Sequence, residues 1–200
     1  MARASFPLSP AALAAALEER LDRDLSPGRA AHSRGVAGLA AALCASHGLD
    51  AEKGRAAGLA HDLCKELPHG RQAELASASG YSLSSGFLSE KILHGPAAAG
   101  LLRGEYGVTD GELLGAVAWH TVGRVGMGPF ETIVYCADKI EPGRRDVDPA
   151  FRARCLAMPP AEMLRAVLED TLAYLASIGR AVAPETSLLY NSLRTPERTT

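Results

Sequence analysis

Apolar residues recur every three or four positions along most of the chain, which is the period of an amphipathic helix. Capping serines and helix-starting prolines mark where these stretches begin, and glycine or proline marks where they end. The helices predicted from this pattern cover residues 10–25, 27–47, 51–67, 69–80, 95–106, 110–120, 129–140, 160–178 and 184–193. We expect the helix over 69–80 to be short and exposed. Residues 81–93 are rich in serine and predict only a short helix near their end.

Strands would need apolar and polar residues to alternate with a period of two between turns, and no stretch sustains that pattern. The sequence contains no internal repeat and no linker of low complexity. We therefore predict an all-α fold, a single domain of about eight to ten helices. Residues 1–25 would form an N-terminal helix packed on a domain of residues 26–194, and residues 195–200 a polar tail.

Three polar side chains that could bind a metal fall on the predicted apolar faces. They are His32, four residues before Val36, His120, three after Val117, and Asp138, four after Val134. A buried aspartate is costly without a partner, so Asp138 indicates a site. His94 stands at the predicted mouth of a helix, next to Gly95-Pro96.

The dipeptide His61-Asp62 offers a neutral nitrogen and a carboxylate oxygen in neighbouring directions, a pair suited to a divalent metal. Lys65 lies four residues after His61 and three after Asp62, so it shares their predicted helical face. A cation beside two metal ligands would repel the metal. An anionic substrate such as a phosphate would explain its position.

Imidazole and carboxylate donors from different helices could thus converge on one or two divalent metals. The candidates are His32, His61, Asp62, His94, His120 and Asp138. Any one of these histidines alone would more often be a hydrogen-bonded core residue, so the prediction depends on the whole set. His47 and His69 lie near a helix end and in a loop, and we interpret them as solvated.

Charge and motifs exclude several classes of function. The net charge of −2 leaves no basic footprint for a polyanion, so we expect no nucleic-acid partner. No apolar run approaches the roughly 20 residues of a membrane span, and the first residues do not resemble a signal peptide. The four cysteines form no CxxC pair, and we interpret them as reduced and buried in a cytoplasmic protein. The sequence has no GxSxG, HExxH or P-loop motif, so serine-hydrolase, zincin and ATP-driven chemistries lack support.

Five strings of residues resemble one group of enzymes. The strings are AGLAHDLCKE at 57–66, LHGP at 93–96, WHTVG at 119–123, ADKIEPGR at 137–144 and PETSLLYN at 184–191. The order His32, His61-Asp62, Asp138 resembles the HD-domain phosphohydrolases, which are all-α metalloenzymes. The fuller strings resemble their bacterial subfamily of symmetrical bis(5′-nucleosyl)-tetraphosphatases. The resemblance runs from about Arg29 to Leu193.

This resemblance implies a centre of two divalent metals, with iron as the metal. The same ligands would also accept manganese, cobalt or zinc. His32, His61, Asp62 and Asp138 would hold one metal, with Asp62 as the bridge, and His94 and His120 would hold the second. Asp62, Lys65 and Arg144 would be the catalytic residues, the two cations offsetting charge on the phosphoryl oxygens.

The residues expected to bind the substrate are Arg29, Lys65, His94, Gly123, Arg144, Tyr190 and Asn191. The cations would contact phosphate, and the loop from Gly123 to Gly128 could cradle phosphate with backbone amides. Tyr190 and Asn191 would stack on a base and hydrogen-bond it. Plainer alternatives stay open: surface charge for the cations, a connector for the loop, and docking of a C-terminal helix for Tyr190-Asn191.

The activity that the resemblance implies is hydrolysis of diadenosine tetraphosphate to two ADP by a metal-activated hydroxide. One alternative is a generic HD phosphohydrolase acting on a nucleoside monophosphate or a cyclic dinucleotide. Another is a metal-bound nucleotide sensor with little turnover. The residues do not decide the native metal or the oligomeric state, and a homodimer is one alternative.

Overall fold

A computed structural model describes residues 8–84 and 90–194 of the chain. Over these residues the protein consists of helices joined by turns and loops, without strands, and the all-α prediction is confirmed. The helices are α1 (Pro10–Asp24), α2 (Pro27–Ser46), α3 (Ala51–Ala60), α4 (His69–Ser79), α5 (Glu90–Tyr106), α6 (Gly111–Trp119), α7 (Pro129–Ile140), α8 (Pro149–Leu156), α9 (Pro160–Ser177) and α10 (Pro184–Leu193). Within the described ranges, no helix is both long and apolar enough to cross a membrane. The predicted tail over 195–200 lies outside them.

Helix α7 forms the centre of the core. Every residue from Phe130 to Asp138 is buried, and the helix packs against α2, α6 and α9. Helix α3 packs against both α1 and α2, and the regularly spaced leucines of α1 are buried, as their period predicts. Asp138 therefore lies on the most enclosed element of the fold.

Helix caps agree with the sequence signals at most boundaries. Ser9 and Asp50 accept hydrogen bonds from backbone amides in the first turns of α1 and α3, as expected. At α6, Thr109 and Glu112 have the sequence spacing of a capping box, but Thr109 is not the cap. Asp110 is the cap, because its carboxylate accepts from the amides of the first turn.

Two other segments differ from the prediction. Helix α4 is not simply exposed, since Leu75 and Ala76 are buried where it packs along α5. Helix α8 was not predicted, although Asp148-Pro149 form a cap and a proline start. Cys155 is the one residue of α8 that is buried, so this helix shows no apolar period that a pattern could reveal.

Glycines let several helices approach to backbone contact. A Cβ on Gly58 of α3 would lie 2.5 Å from the Cα of Ala37 in α2. A Cβ on Gly95 of α5 would lie 2.7 Å from the carbonyl oxygen of Ala118 in α6, and one on Gly100 would clash with the Leu75 carbonyl of α4. These contacts fix how closely the helices that carry the candidate ligands can approach one another.

Replacing Gly100 with alanine should destabilise the protein by about 1–3 kcal/mol, because the added methyl forces α4 and α5 apart. Gly104 in the same helix is the matched control, since a Cβ there meets nothing within 4 Å. Gly104→Ala should be neutral or stabilise by up to about 1 kcal/mol through helix propensity. Urea denaturation midpoints measure both effects, and equal midpoints for the two variants would contradict the packing argument.

Candidate metal centre

The close contact between α2 and α3 brings His32 and His61 together. Their ring centroids are 5.3 Å apart, near the end of the two helices that Gly58 allows to touch. His61 is completely buried, whereas the His32 side chain keeps 17% of its surface exposed. One side of the cluster is therefore closed and the other faces solvent.

The prediction that helix α3 continues to residue 67 is wrong. Helix α3 ends at Ala60, His61 is its C-cap, and residues 61–67 form turns. The amide of Lys65 donates to the carbonyl of Asp62 across one of these turns. Asp62 and Lys65 still face the cluster together, because the turn returns the chain after three residues, much as a helix would.

His94 and His120 approach across the contact between α5 and α6. Their Nε2 atoms are 3.0 Å apart, and these atoms lie 3.0 and 3.5 Å from Oδ1 of Asp62. His94 does not stand at a helix mouth as predicted, since α5 begins at Glu90 and includes Pro96. The His94-Gly95-Pro96 signal instead marks the close approach of α5 to α6, which only glycine permits.

Asp138 completes the cluster from the C-terminal turn of α7. Its Oδ1 lies 3.0 Å from Nε2 of His32 and 3.7 Å from Nε2 of His61. Three overlapping groups of donors, each with its atoms within 4.8 Å of one another, could hold a metal ion. The groups are His32-His61-Asp62, His61-His120-Asp138 and Asp62-His94-His120. All six predicted ligands thus meet in one place.

The imidazole tautomers suit metal binding. Nδ1 of His61 donates to the Gly58 carbonyl at 2.7 Å, and Nδ1 of His120 donates to the Val117 carbonyl at 2.7 Å. Each ring therefore turns the lone pair of Nε2 toward the cluster, an arrangement common for metal-bound histidines. These carbonyls are exposed to the rings because each histidine follows the last turn of its helix.

Nε2 of His61 is the strongest sign that a ligand belongs here. The atom is buried and has no hydrogen-bond partner within the described part of the chain. Burying an acceptor without a partner costs free energy, and native proteins rarely leave one. A divalent cation between the imidazoles and carboxylates would satisfy this atom, so the donor set fits a metal.

The protonation states of the carboxylates and of two of the histidines also suit metal binding. Burial opposes ionisation of Asp62, but His61, His120, His94 and Lys65 outweigh it and hold the carboxyl pKa well below its usual range. The pKa of the Asp138 carboxyl is lowered likewise, Lys139 and His32 outweighing burial. Burial lowers the pKa of His61, and it lowers that of His120 to about 3. At neutral pH the carboxylates are charged and these imidazoles are neutral, as metal ligands must be.

The predicted cations surround the two carboxylates. Lys65 Nζ lies 3.2 Å from Oδ1 of Asp62, and Arg29 Nη1 lies 3.1 Å from Oδ2 of the same residue. Arg144 Nη2 lies 2.9 Å from Oδ1 of Asp138. Arg29 is held from behind by Glu66, whose carboxylate also accepts from the hydroxyl and amide of Ser26.

The cluster opens into a cleft of about 1290 Å³, larger than a typical pocket for one small molecule. Its lining includes the predicted site residues Arg29, His32, Asp62, Lys65, His120, Asp138 and Arg144. His61 and His94 are completely buried and do not line it. A further part of its lining is the second half of α9 together with Arg180, Ala181 and Ala183.

Four predicted substrate contacts do not line the cleft: the buried His94, and Gly123, Tyr190 and Asn191. Gly123 has a φ of +71°, and a Cβ there would clash with Leu189 of α10. Thr186 of α10 donates to the Val122 carbonyl, and Tyr190 packs against the core, while Asn191 is exposed. Helix α10 therefore docks on the loop after His120. Of the two alternatives for Tyr190 and Asn191, base contact or docking of a C-terminal helix, these contacts favour docking.

Sequence reasoning did not identify Glu141 and Lys139 as site residues. The Glu141 carboxylate lies 3.1 Å from Nδ1 of His32, and Gly35 leaves room for it, since a Cβ there would clash. Lys139 Nζ contacts Asp138 and donates to the His120 carbonyl at 3.1 Å. The signal for Glu141 was its position three residues after Asp138, but we interpreted it only as the end of the helix. His47 and His69 are exposed.

Comparisons with known proteins point to one family. A protein-family model described as the HD domain matches residues 29–143. A symmetrical bis(5′-nucleosyl)-tetraphosphatase of Bacillus subtilis is 31% identical over 174 residues, 86% of this chain and 92% of that protein. The Staphylococcus aureus protein of the same name is 39% identical over 115 residues, 56% of this chain and 58% of that protein. A crystal structure described as an HD superfamily hydrolase involved in NAD metabolism, from Clostridium acetobutylicum, superposes with a TM-score of 0.81. It shares 31% identity and covers 90% of this chain and 95% of its own.

Replacing Asp62 with asparagine should remove most of the bound metal, because a neutral amide replaces a carboxylate shared by two of the donor groups. Asp170→Asn is the matched control, since Asp170 lines the same cleft but belongs to none of these groups. Elemental analysis of protein purified without added metal, with circular dichroism to verify folding, compares the variants. Full metal content in a folded Asp62→Asn protein would contradict the assignment.

Proposed function

Because this chain belongs to the HD domain family, we propose that it is a metal-dependent phosphohydrolase that cuts dinucleoside tetraphosphates symmetrically. Diadenosine tetraphosphate would give two ADP. The observation that carries the metal-dependent part is the buried Nε2 of His61, which lies between two ionised carboxylates and has no hydrogen-bond partner among the described residues. The curated relatives named for symmetrical cleavage support the choice of substrate and bond.

We assign one ion to His32, His61, Asp62 and Asp138, and a second to His94 and His120 with Asp62 as the bridge. The overlapping donor groups support this division, since Asp62 belongs to a group with each pair of histidines. We propose iron as the native metal, while manganese, cobalt or zinc would suit the same mixed nitrogen and oxygen ligands. A bound divalent ion would polarise a phosphoryl oxygen and lower the pKa of water.

Lys65 has a position from which it can serve the substrate. Its ammonium lies 2.9 Å from Nε2 of His94 and 3.2 Å from Asp62, atoms that the second metal would need. Lys65 could not keep these contacts beside a divalent ion, because like charges repel, and its side chain is 26% exposed and lines the cleft. Lys65 would then meet the phosphate chain and offset its charge.

Arg144 and Arg29 would hold the phosphates in register. Burial alone would lower the pKa of Arg144, but its contact with the Asp138 carboxylate outweighs burial. The pKa of Arg144 is therefore raised, and the side chain stays charged. Arg29 contacts Asp62, the other carboxylate of the cluster. Fixed cations on both carboxylates would orient the phosphoryl group without reorganisation during the reaction. The Lys139 contact with the His120 carbonyl would keep that ring oriented.

The size of the cleft supports a substrate larger than a mononucleotide, since its volume exceeds that of a typical small-molecule pocket. The product assay described next also tests the two alternatives, the generic phosphohydrolase and the nucleotide sensor. A cytoplasmic location, the domain limits at residues 26 and 194 and a homodimer stay predictions.

The test is chromatography of the products formed from diadenosine tetraphosphate in water enriched in heavy oxygen. Attack of water on the second phosphate breaks its bond to the bridging oxygen, so ADP should be the sole nucleotide product and half of it should carry the label. Equal amounts of ATP and AMP would contradict the symmetrical cut. Turnover only of a mononucleotide, a cyclic dinucleotide or NAD would favour another phosphohydrolase, and binding without turnover the sensor.

Lys65→Ala and Arg144→Ala should keep the metal but lower kcat/KM, each by roughly 2–4 kcal/mol of transition-state stabilisation. Arg71→Ala is a control, because Arg71 pairs only with exposed Glu74 among the described residues. Steady-state kinetics with elemental analysis of the same samples separates charge stabilisation from metal binding. Metal loss as complete as in Asp62→Asn would mean that Lys65 and Arg144 maintain the metal site instead.

A further inference from the structure

Helix α9 changes character along its length. Its first half buries Met163, Leu164, Val167 and Leu168 against the core. From Asp170 to Ser177 none of its residues is buried, and most of them line the cleft that starts at the metal cluster. At 1.5 Å per residue this half forms a wall about 10 Å long. The cleft therefore has a wall made of residues that are not candidate ligands.

Tyr174 is the aromatic side chain on this wall. It lines the cleft with 59% of its surface exposed, although a large aromatic ring gains by being covered. Its ring makes no aromatic or cation–π contact with the described residues. An exposed ring on the wall of a cleft is a platform on which a nucleobase can stack.

Three cations that line the cleft differ from those that contact the carboxylates. Lys91, Arg145 and Arg180 line the cleft, and none forms an ion pair within residues 8–84 and 90–194. Lys65, Arg29 and Arg144, in contrast, already pair with Asp62 or Asp138. Unpaired cations in a concave site raise the local potential and attract anions such as phosphate.

We propose that the α9 wall is a nucleoside-phosphate subsite, with Tyr174 stacking on the base and Arg180 contacting the adjoining phosphates. This inference rests on the proposed function, because it assigns one nucleoside half of the dinucleoside tetraphosphate to this end of the cleft. The middle of the phosphate chain, where the symmetrical cut falls, then lies at the metal cluster. Tyr174 becomes the aromatic residue that selects a nucleotide over a bare polyphosphate.

The assignment replaces Tyr190 and Asn191 as the base contact. Those residues belong to α10, which docks on the loop after His120 through Thr186 and Leu189. They do not line the cleft, whereas Tyr174 does. Replacing Tyr174 with alanine should therefore weaken nucleotide binding, whereas replacing Tyr190 should not.

Calorimetric binding of ADP and of inorganic tripolyphosphate tests the subsite. Tyr174→Ala should weaken ADP binding roughly tenfold, and up to about a hundredfold, the usual range for loss of base stacking on an aromatic side chain. Tyr174→Phe should keep ADP affinity, and tripolyphosphate affinity should change in neither variant. Arg180→Gln should weaken both ligands. Leu188→Ala is the matched control, since this α10 side chain is 60% exposed but does not line the cleft.

Each contrary result has a separate meaning. Wild-type ADP affinity in Tyr174→Ala overturns the subsite while leaving hydrolysis of diadenosine tetraphosphate intact. A lower oligomeric mass of Tyr174→Ala in solution, without a change in ADP affinity, also overturns the subsite. It would assign the α9 wall to contact with a second copy of the chain. Wild-type protein that binds neither ADP nor diadenosine tetraphosphate, and does not hydrolyse the latter, refutes the proposed function and the subsite with it.

Discussion

Two ionised carboxylates inside a helical protein are the constraint on which the rest of this structure depends. Asp62 and Asp138 are 3% and 6% exposed, and a buried charge is tolerated only where other groups compensate it. Part of that compensation comes from imidazoles on α2, α5 and the ends of α3 and α6, and from lysine and arginine side chains. A divalent cation would complete it. The fold and the site therefore depend on each other, because the helices that carry the compensating side chains must converge where the carboxylates are buried.

Small residues make that convergence possible. Gly58 and Gly95 allow backbone contact between α3 and α2 and between α5 and α6, and each contact ends beside a pair of histidines. Larger residues at these positions would push the helices apart, whereas metal–ligand distances tolerate changes of only about 0.2 Å. Behind the ligands, carbonyl groups and the Glu141 carboxylate fix the rings, so the cluster is preorganised before any ligand arrives.

Much of this could be predicted from the sequence, because helical periodicity shows which side chains point inward. His32, His120 and Asp138 are examples, and the family resemblance added the order of the motifs. Other features depend on tertiary contacts that leave no period. The burial of α4 arises from its contact with α5, and the role of Glu141 depends on space left by Gly35. Tyr174 belongs to the wall of the cleft only because the second half of α9 extends past the core. Its sequence pattern is that of an ordinary amphipathic helix.

The most direct test of the account is anomalous X-ray diffraction from crystals of protein purified without added metal and shown to be active. The account predicts an anomalous peak within about 2.0–2.2 Å of Nε2 of His61, with carboxylate oxygens of Asp62 and Asp138 also coordinating. Active protein whose cluster shows no anomalous scatterer at that atom would contradict it.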